Sequence, residues 1–168
     1  YMEGNDGNDK LYGGAGNDLI NAGKGNDIID GGAGNDKMYG NSGDDVFNNL
    51  TVKDILADGS AGDDMFNYNF TSDNAHGLKV SGGSGCDVLN VNMSGATGSW
   101  TMKISTLSSV IEITNGNVTS VTGSDYTALN DASNFLNLAN QSGTIEMTDA
   151  TSGTEVIDFQ GLDQIHWA

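Results

Sequence analysis

Arginine and proline are absent from the 168 residues, and six lysines face 23 aspartates and glutamates. A net charge of −17 argues against nucleic acid, whose binders carry basic patches, and against anionic membrane surfaces. Cys86 is the one cysteine, so no internal disulfide can form. No apolar run approaches the ~20 residues of a membrane-spanning helix, so no membrane insertion is expected. No signal peptide is visible. The G-x-S-x-G and H-E-x-x-H motifs of hydrolases and zinc proteases are missing. His76 and His166, the only imidazoles, have no nucleophile and base next to them in sequence. No catalytic residue is therefore expected.

Glycine is plentiful, at 25 residues, and it is periodic. Five nine-residue units follow one another from Gly4 to Asn48: 4–12, 13–21, 22–30, 31–39 and 40–48. The template is G-G-x-G-x-D-x-U-x, with U apolar, and Gly13-Gly14-Ala15-Gly16-Asn17-Asp18-Leu19-Ile20-Asn21 is its clearest copy. Each unit reads as a turn followed by a short strand. Glycine at positions one, two and four permits positive φ and close backbone approach, and Asn or Asp at position five tolerates the left-handed region. Positions seven to nine suit a three-residue strand whose middle side chain points to one face. That places Leu11, Ile20, Ile29, Met38 and Phe47 inside a thin core.

Two units complete one coil of a flattened solenoid, so residues eighteen apart stack at the strand spacing of about 4.8 Å. Asp9, Asp27 and Asp45 then form one column, and Asp18 and Asp36 a second. Carboxylates that close repel strongly on a poorly solvated edge, and a divalent cation between turns removes the repulsion. Hard oxygen donors from Asp and from backbone carbonyls favour Ca²⁺ over transition metals. Beyond the full repeats, residues 49–57 lose glycine but keep Asp54 and Leu56, eighteen after Asp36 and Met38. Residues 59–67 and 82–90 restore the motif, and the unit 68–76 keeps only Asp73. The expected result is one long edge (Asp9, Asp27, Asp45, Asp64, Asp87) and one short edge (Asp18, Asp36). Alternatively, residues 49–81 leave the solenoid as ordinary loops.

The repeat resembles the calcium-binding nonapeptide of the RTX (repeats-in-toxin) family. The resemblance is specific over 4–48 and recurs at 59–67 and 82–90. It implies an all-β fold, a parallel β-roll that binds calcium. Each ion would take carbonyls from positions two and four of one turn and from one and three of the turn eighteen residues on, with an Asp from each. On the long edge this assigns Asn5, Gly7 and Asp9 with Ala22, Lys24 and Asp27, then Gly23 and Gly25 with Gly40, Ser42 and Asp45. Asn41 and Gly43 follow with Gly59, Ala61 and Asp64, and Ser60 and Gly62 with Gly82, Ser84 and Asp87. On the short edge it assigns Gly14, Gly16 and Asp18 with Gly31, Ala33 and Asp36. About five Ca²⁺ ions are expected at such oxygen-rich sites. Asn5, Asn41, Ser60 and Ala22 replace glycine, which keeps the carbonyl and strains the turn. The absence of glycine from 49–57 puts a sixth site near Asp54 in doubt.

From Val88 onward glycine thins and Thr, Val, Ile and Ser rise. Alternation reads as strand at 88–93, 100–104, 110–114, 118–122, 144–148 and 155–159. Residues 126–139 read as the one helical stretch, with Leu129, Ala132, Phe135, Leu136 and Ala139 apolar. Residues 154–167 look like two strands around a Gly-containing bend, similar to segments that follow the repeats in RTX proteins. The expected organisation is a β-roll over 1–90 and a β-rich C-terminal cap region over 91–168. Trp100 and Trp167 are either core or a sugar-stacking platform. Cys86 occupies the variable fifth position, where a side chain points to solvent.

Such an acidic Gly/Asn/Asp-rich chain buries too little apolar area to fold without metal, which couples calcium to folding. The resemblance implies a module of a secreted bacterial protein, an adhesin or an extracellular enzyme, exported by the type I secretion machinery to the cell surface or beyond. The chain begins inside the repeat array and so reads as part of a longer protein, and no Lys follows Lys103, as in type I secretion signals. A carbohydrate- or surface-binding module, with a glycan or ice as ligand, is the alternative. Position three, held by Asp6, Ala15, Lys24, Ala33 and Ser42, lacks the Thr of ice-binding repeats. Part of a hydrolase is a third reading.

Overall fold

The computed structural model describes residues 1–71, 76–106, 109–114, 117–123, 129–130, 135–150 and 153–168. Among these residues every regular element is a β-strand. The repeats give β1 (Met2–Asp6), β2 (Lys10–Ala15), β3 (Leu19–Lys24), β4 (Ile28–Ala33) and β5 (Lys37–Ser42). Most run from position seven to position three of the next unit, longer than the three residues expected. The position-two residues still pair between turns, as Gly14 does with Gly32. The chain continues with β6 (Val46–Leu50), β7 (Leu56–Ala61), β8 (Met65–Asn69), β9 (His76–Ser84) and β10 (Val88–Asn92).

Alternate strands pair in parallel and build two faces, β1-β3-β5-β7-β9 and β2-β4-β6-β8-β10. This is a parallel β-roll. Within 49–81, the described residues 49–71 and 76–81 stay in it rather than leaving as loops, because β7 and β8 keep their places in the two faces. The C-terminal part adds β11 (Trp100–Thr106), β12 (Ser109–Thr114), β13 (Asn117–Gly123), β14 (Leu129–Asn130), β15 (Phe135–Asp149) and β16 (Gly153–Trp167). Strand β15 joins β16 and β11 in antiparallel pairs, and β12 and β13 extend that sheet. Residues 135–139 therefore lie in a strand, not in the helix expected over 126–139. The alternation of Phe135-Leu136-Asn137-Leu138 with its partners on β16 outweighs the helical spacing of the apolar residues. Residues 126–128 and 131–134 lie outside the described residues.

Strand β16 connects the two faces. Val156 to Gln160 pair in parallel with β9, the chain bends at Gly161 (φ 63°), and Gln164 to Trp167 pair in parallel with β10. A C-terminal strand thereby supplies the last turn of the solenoid.

The core is two inward ladders. One runs Met2, Ile20, Met38, Ala57, Val80, Phe159, and the other Leu11, Ile29, Phe47, Phe66, Leu89, Ile165. The Phe47 and Phe66 rings stack with centroids 4.8 Å apart. Ala57 takes the inward place opposite Met38 that eighteen-residue spacing gives to Leu56, because the 51–55 loop holds one residue more; Leu56 is half-buried. Leu50, Val52, Tyr68 and Phe70, all buried, lie on or next to the loops where glycine disappears. Apolar contact thus replaces the glycine turns on that edge. The buried carboxylate of Glu155 is held there by the hydroxyl of Tyr68 and by the N–H and hydroxyl of Thr71 (3.2 and 2.8 Å).

Candidate metal centres

The loops between successive strands form the two edges of the roll. On one edge each position-six Asp donates its backbone N–H to the carboxylate of the next: Asp9 to Asp27 (2.8 Å), Asp27 to Asp45 (2.8 Å), Asp45 to Asp64 (2.9 Å) and Asp64 to Asp87 (3.0 Å). On the other edge Asp18 donates to Asp36 at 2.8 Å. The long column does not stop at Asp87, contrary to the sequence expectation. The Asp87 N–H donates to Asp163 at 3.0 Å.

The position-five residues form a second ladder one place outward, in which each N–H donates to the preceding turn rather than the next. Asn26 N–H bonds Asn8 Oδ1, Asp44 N–H bonds Asn26, Asp63 N–H bonds Asp44 and Cys86 N–H bonds Asp63, all at 2.9–3.0 Å. Cys86 itself is exposed.

One oxygen of Asp27, Asp36, Asp45, Asp64 and Asp87 is thereby engaged. A second oxygen of each, and one oxygen of Asp9 and of Asp18, is buried and without a hydrogen-bond partner. Buried unpaired polar atoms are rare in folded proteins and call for a reason. The surroundings supply one. The free oxygen of Asp9 and the carbonyl of Ala22 converge beside Gly4, and those of Asp18 and Gly31 converge beside Gly13. The free oxygens of Asp36, Asp45, Asp64 and Asp87 lie beside Gly31, Gly40, Gly59 and Gly82, the first position of each loop.

Positions two and four turn left-handed. At Gly25 (φ 124°) an added Cβ would run into the Gly7 carbonyl, so the backbones of successive turns stack without room for a side chain. The carbonyl of Asn5 faces Gly23 in the same way, those of Gly14 and Gly16 face Gly32 and Gly34, and those of Gly43, Ser60 and Gly62 face Gly62, Gly83 and Gly85. Asn5 (φ 75°), Asn41 (φ 77°) and Ser60 (φ 74°) adopt the same left-handed backbone without being glycine. Asn41 pairs with Gly23 and Ser60. Ala22, at position one, carries no such strain. The position-three carbonyls of Lys24, Ala33, Ser42, Ala61 and Ser84 each accept the position-four N–H of the preceding turn at 2.7–2.9 Å. A carbonyl has a second lone pair, so these oxygens keep accepting capacity.

Among the described residues no three His, Cys, Asp or Glu side chains gather around one point. Each gap between turns offers two carboxylates and a set of carbonyls, the donor set of a hard cation. The electrostatics agree. Burial, together with the neighbouring carboxylates, pushes Asp45 up to about 6 and Asp64 up to about 7, against the pull of the N–H each accepts. Asp27 and Asp87 are raised by the same burial. These groups are held where their charged form is disfavoured unless a positive charge accompanies it.

Asp54 departs from the pattern. One of its oxygens accepts the Thr51 N–H at 2.8 Å, closing a local turn instead of facing the next gap. Asp73 lies outside the described residues. Asp163 is the residue that sequence reasoning missed. The spacing Asp163-Gln164-Ile165 keeps positions six to eight of the template, but the preceding loop is too short to show the glycine signature. Trp167 is buried (5% exposed) and Trp100 is half-buried against the core.

The family model of the RTX calcium-binding nonapeptide repeat matches in four copies, over residues 1–29 and 12–47. No curated protein and no solved structure matches the chain.

Proposed function

From the RTX calcium-binding repeats of residues 1–47, we propose that the chain is a calcium-dependent folding module of a secreted bacterial protein, an adhesin or an extracellular enzyme. The observation that carries this reading is the set of seven buried Asp oxygens without partners, aimed at gaps between turns. Calcium would be held by Asp9, Asp27, Asp45, Asp64 and Asp87 on one edge and by Asp18 and Asp36 on the other. The carbonyls of positions one to four complete each site, as at Gly14, Gly16, Gly31 and Ala33. Bound calcium supplies the positive charge that a chain of net −17 lacks at these edges.

Without it, seven carboxylates would be buried close to one another at a cost the thin core does not offset. Folding then follows the calcium concentration. At cytosolic levels the chain stays unfolded, the state that type I secretion requires, and at extracellular levels it folds. We assign residues 1–90 to the roll and 91–168 to a region whose strand β16 seals it. Burial of Trp167 weighs against the glycan-binding alternative.

Far-ultraviolet circular dichroism during a calcium titration tests this. The chain should lack β signal in EDTA and fold cooperatively with a midpoint of about 10⁻⁴–10⁻³ M, the range of extracellular modules. An unchanged β spectrum in EDTA would overturn the reading.

A further inference from the structure

The free oxygens count the gaps. Asp9 lies in the first described turn of its edge, and its unpaired oxygen converges with the carbonyl of Ala22, in the next turn of the same edge. Each free oxygen therefore belongs to the gap between its own turn and the next. Asp87 has such an oxygen, is fully buried, and has no nonapeptide after it. The bend of β16 stacks on its loop instead. The Gly161 carbonyl converges with the Asp87 oxygen beside Gly82, as Ala22 does beside Gly4 and Gly31 beside Gly13. The Asp163 carboxylate accepts the Asp87 N–H, and the Asp87 carbonyl accepts the Gln164 N–H at 3.0 Å. In the repeats Asp9 and Ile28 stand in that same relation at 2.9 Å. Gly83 and Gly85 carry the left-handed backbone of positions two and four (φ 110° and 138°).

Building on the calcium reading above, we infer that Gly161 and Asp163 of the C-terminal strand complete a further calcium site with Asp87 and the 82–85 loop, so that an ion fastens β16 to the end of the roll. Asp87 stands five positions after Gly82, whereas Asp163 stands two after Gly161. The bend therefore lacks the position-three carbonyl, and water fills the coordination that Ca²⁺ requires. This ion is the weakest of its row. Asp54, at the end of the other column, differs because the Thr51 N–H takes the oxygen that would serve a metal.

The experiment compares wild type with Asp163→Asn in the full chain, counting bound calcium by equilibrium dialysis at the lowest calcium concentration at which circular dichroism shows both chains fully folded. Asn keeps an oxygen to accept the Asp87 N–H but removes the negative charge. A residue that only caps would leave the count unchanged, whereas a ligand would lose it. The expected result is a single ion fewer, with the far-ultraviolet spectrum at saturating calcium preserved. An equal count with an equal midpoint would overturn the assignment. Loss of every ion together would also overturn it, because Asp163 would then be a folding residue rather than a ligand of one site. Asp45→Asn should instead weaken internal sites. A wild-type chain that binds no calcium would overturn the underlying reading itself.

Discussion

The backbone N–H of Asp45 donates to the carboxylate of Asp64 at 2.9 Å across nineteen residues, while Asp27 reaches Asp45 at 2.8 Å across eighteen. Asp64 reaches Asp87 across twenty-three at 3.0 Å. The edge geometry is constant although the spacing is not. The extra residues fall on the opposite edge, between β6 and β7 and between β8 and β9, where the repeat pattern breaks down. One edge is thus kept regular for a cation while the other absorbs sequence drift.

That regularity gives unequal roles to aspartates that look alike in sequence. Asp27 accepts the Asp9 N–H and donates its own to Asp45, so it touches two gaps, whereas Asp9 borders only one gap between described turns. Asp27→Ala should cost about 1.4 kcal/mol of calcium-loaded stability and Asp9→Ala about half that energy, each read as a raised calcium midpoint of folding. Both defects should shrink at saturating calcium by mass action. Calcium titrations followed by circular dichroism check this, and equal midpoints would remove the shared-ligand geometry.

Backbone strain offers a second test. Ser60 holds φ at 74°, where its own Cβ is disfavoured, while Gly43 at φ 119° has the Gly25 carbonyl where a Cβ would go. Ser60→Gly should stabilise the calcium-loaded chain by about 0.5–1 kcal/mol, and Gly43→Ala should destabilise it by ~2 kcal/mol or more. Urea unfolding at saturating calcium measures both. A destabilised Ser60→Gly would mean that the loop is not strained.

Much of this edge was legible in the sequence, because the repeat fixes glycine and Asp at each turn. The inward ladder Leu11, Ile29, Phe47 and the carboxylates Asp9, Asp27 and Asp45 follow from nine-residue spacing alone, and Asp64 and Asp87 from the return of the motif at 59–67 and 82–90. Leu56 misled because an inserted residue in a glycine-free loop shifts register without a local signal, and Ala57 turned inward instead. The segment 135–139 misled because apolar residues spaced for a helix also fit a strand, and only pairing with β16 decides. Asp163 was hidden because its role depends on a long-range pairing that no local motif encodes.

The shifted carboxylates set a pH dependence whose sign depends on calcium. In the metal-free fold, burial raises Asp64 to about 7 and Asp45 and Asp54 to about 6, from an ordinary 3.8. The fold then binds more protons than the unfolded chain, so this stability is fully present below about pH 3.8 and is lost as pH rises through about 6 to 7. In EDTA the chain should therefore gain β signal on acidification from pH 8 to pH 5. With calcium the direction reverses, because protons compete with the metal for the same oxygens. The calcium midpoint should stay level above about pH 7 and rise steadily as pH falls below it. Circular dichroism in EDTA and in calcium across this range reads both limbs. A chain that loses structure in EDTA on acidification, or a midpoint indifferent to pH between 7 and 5, would show that these carboxylates are not the buried, repelling groups the roll makes of them.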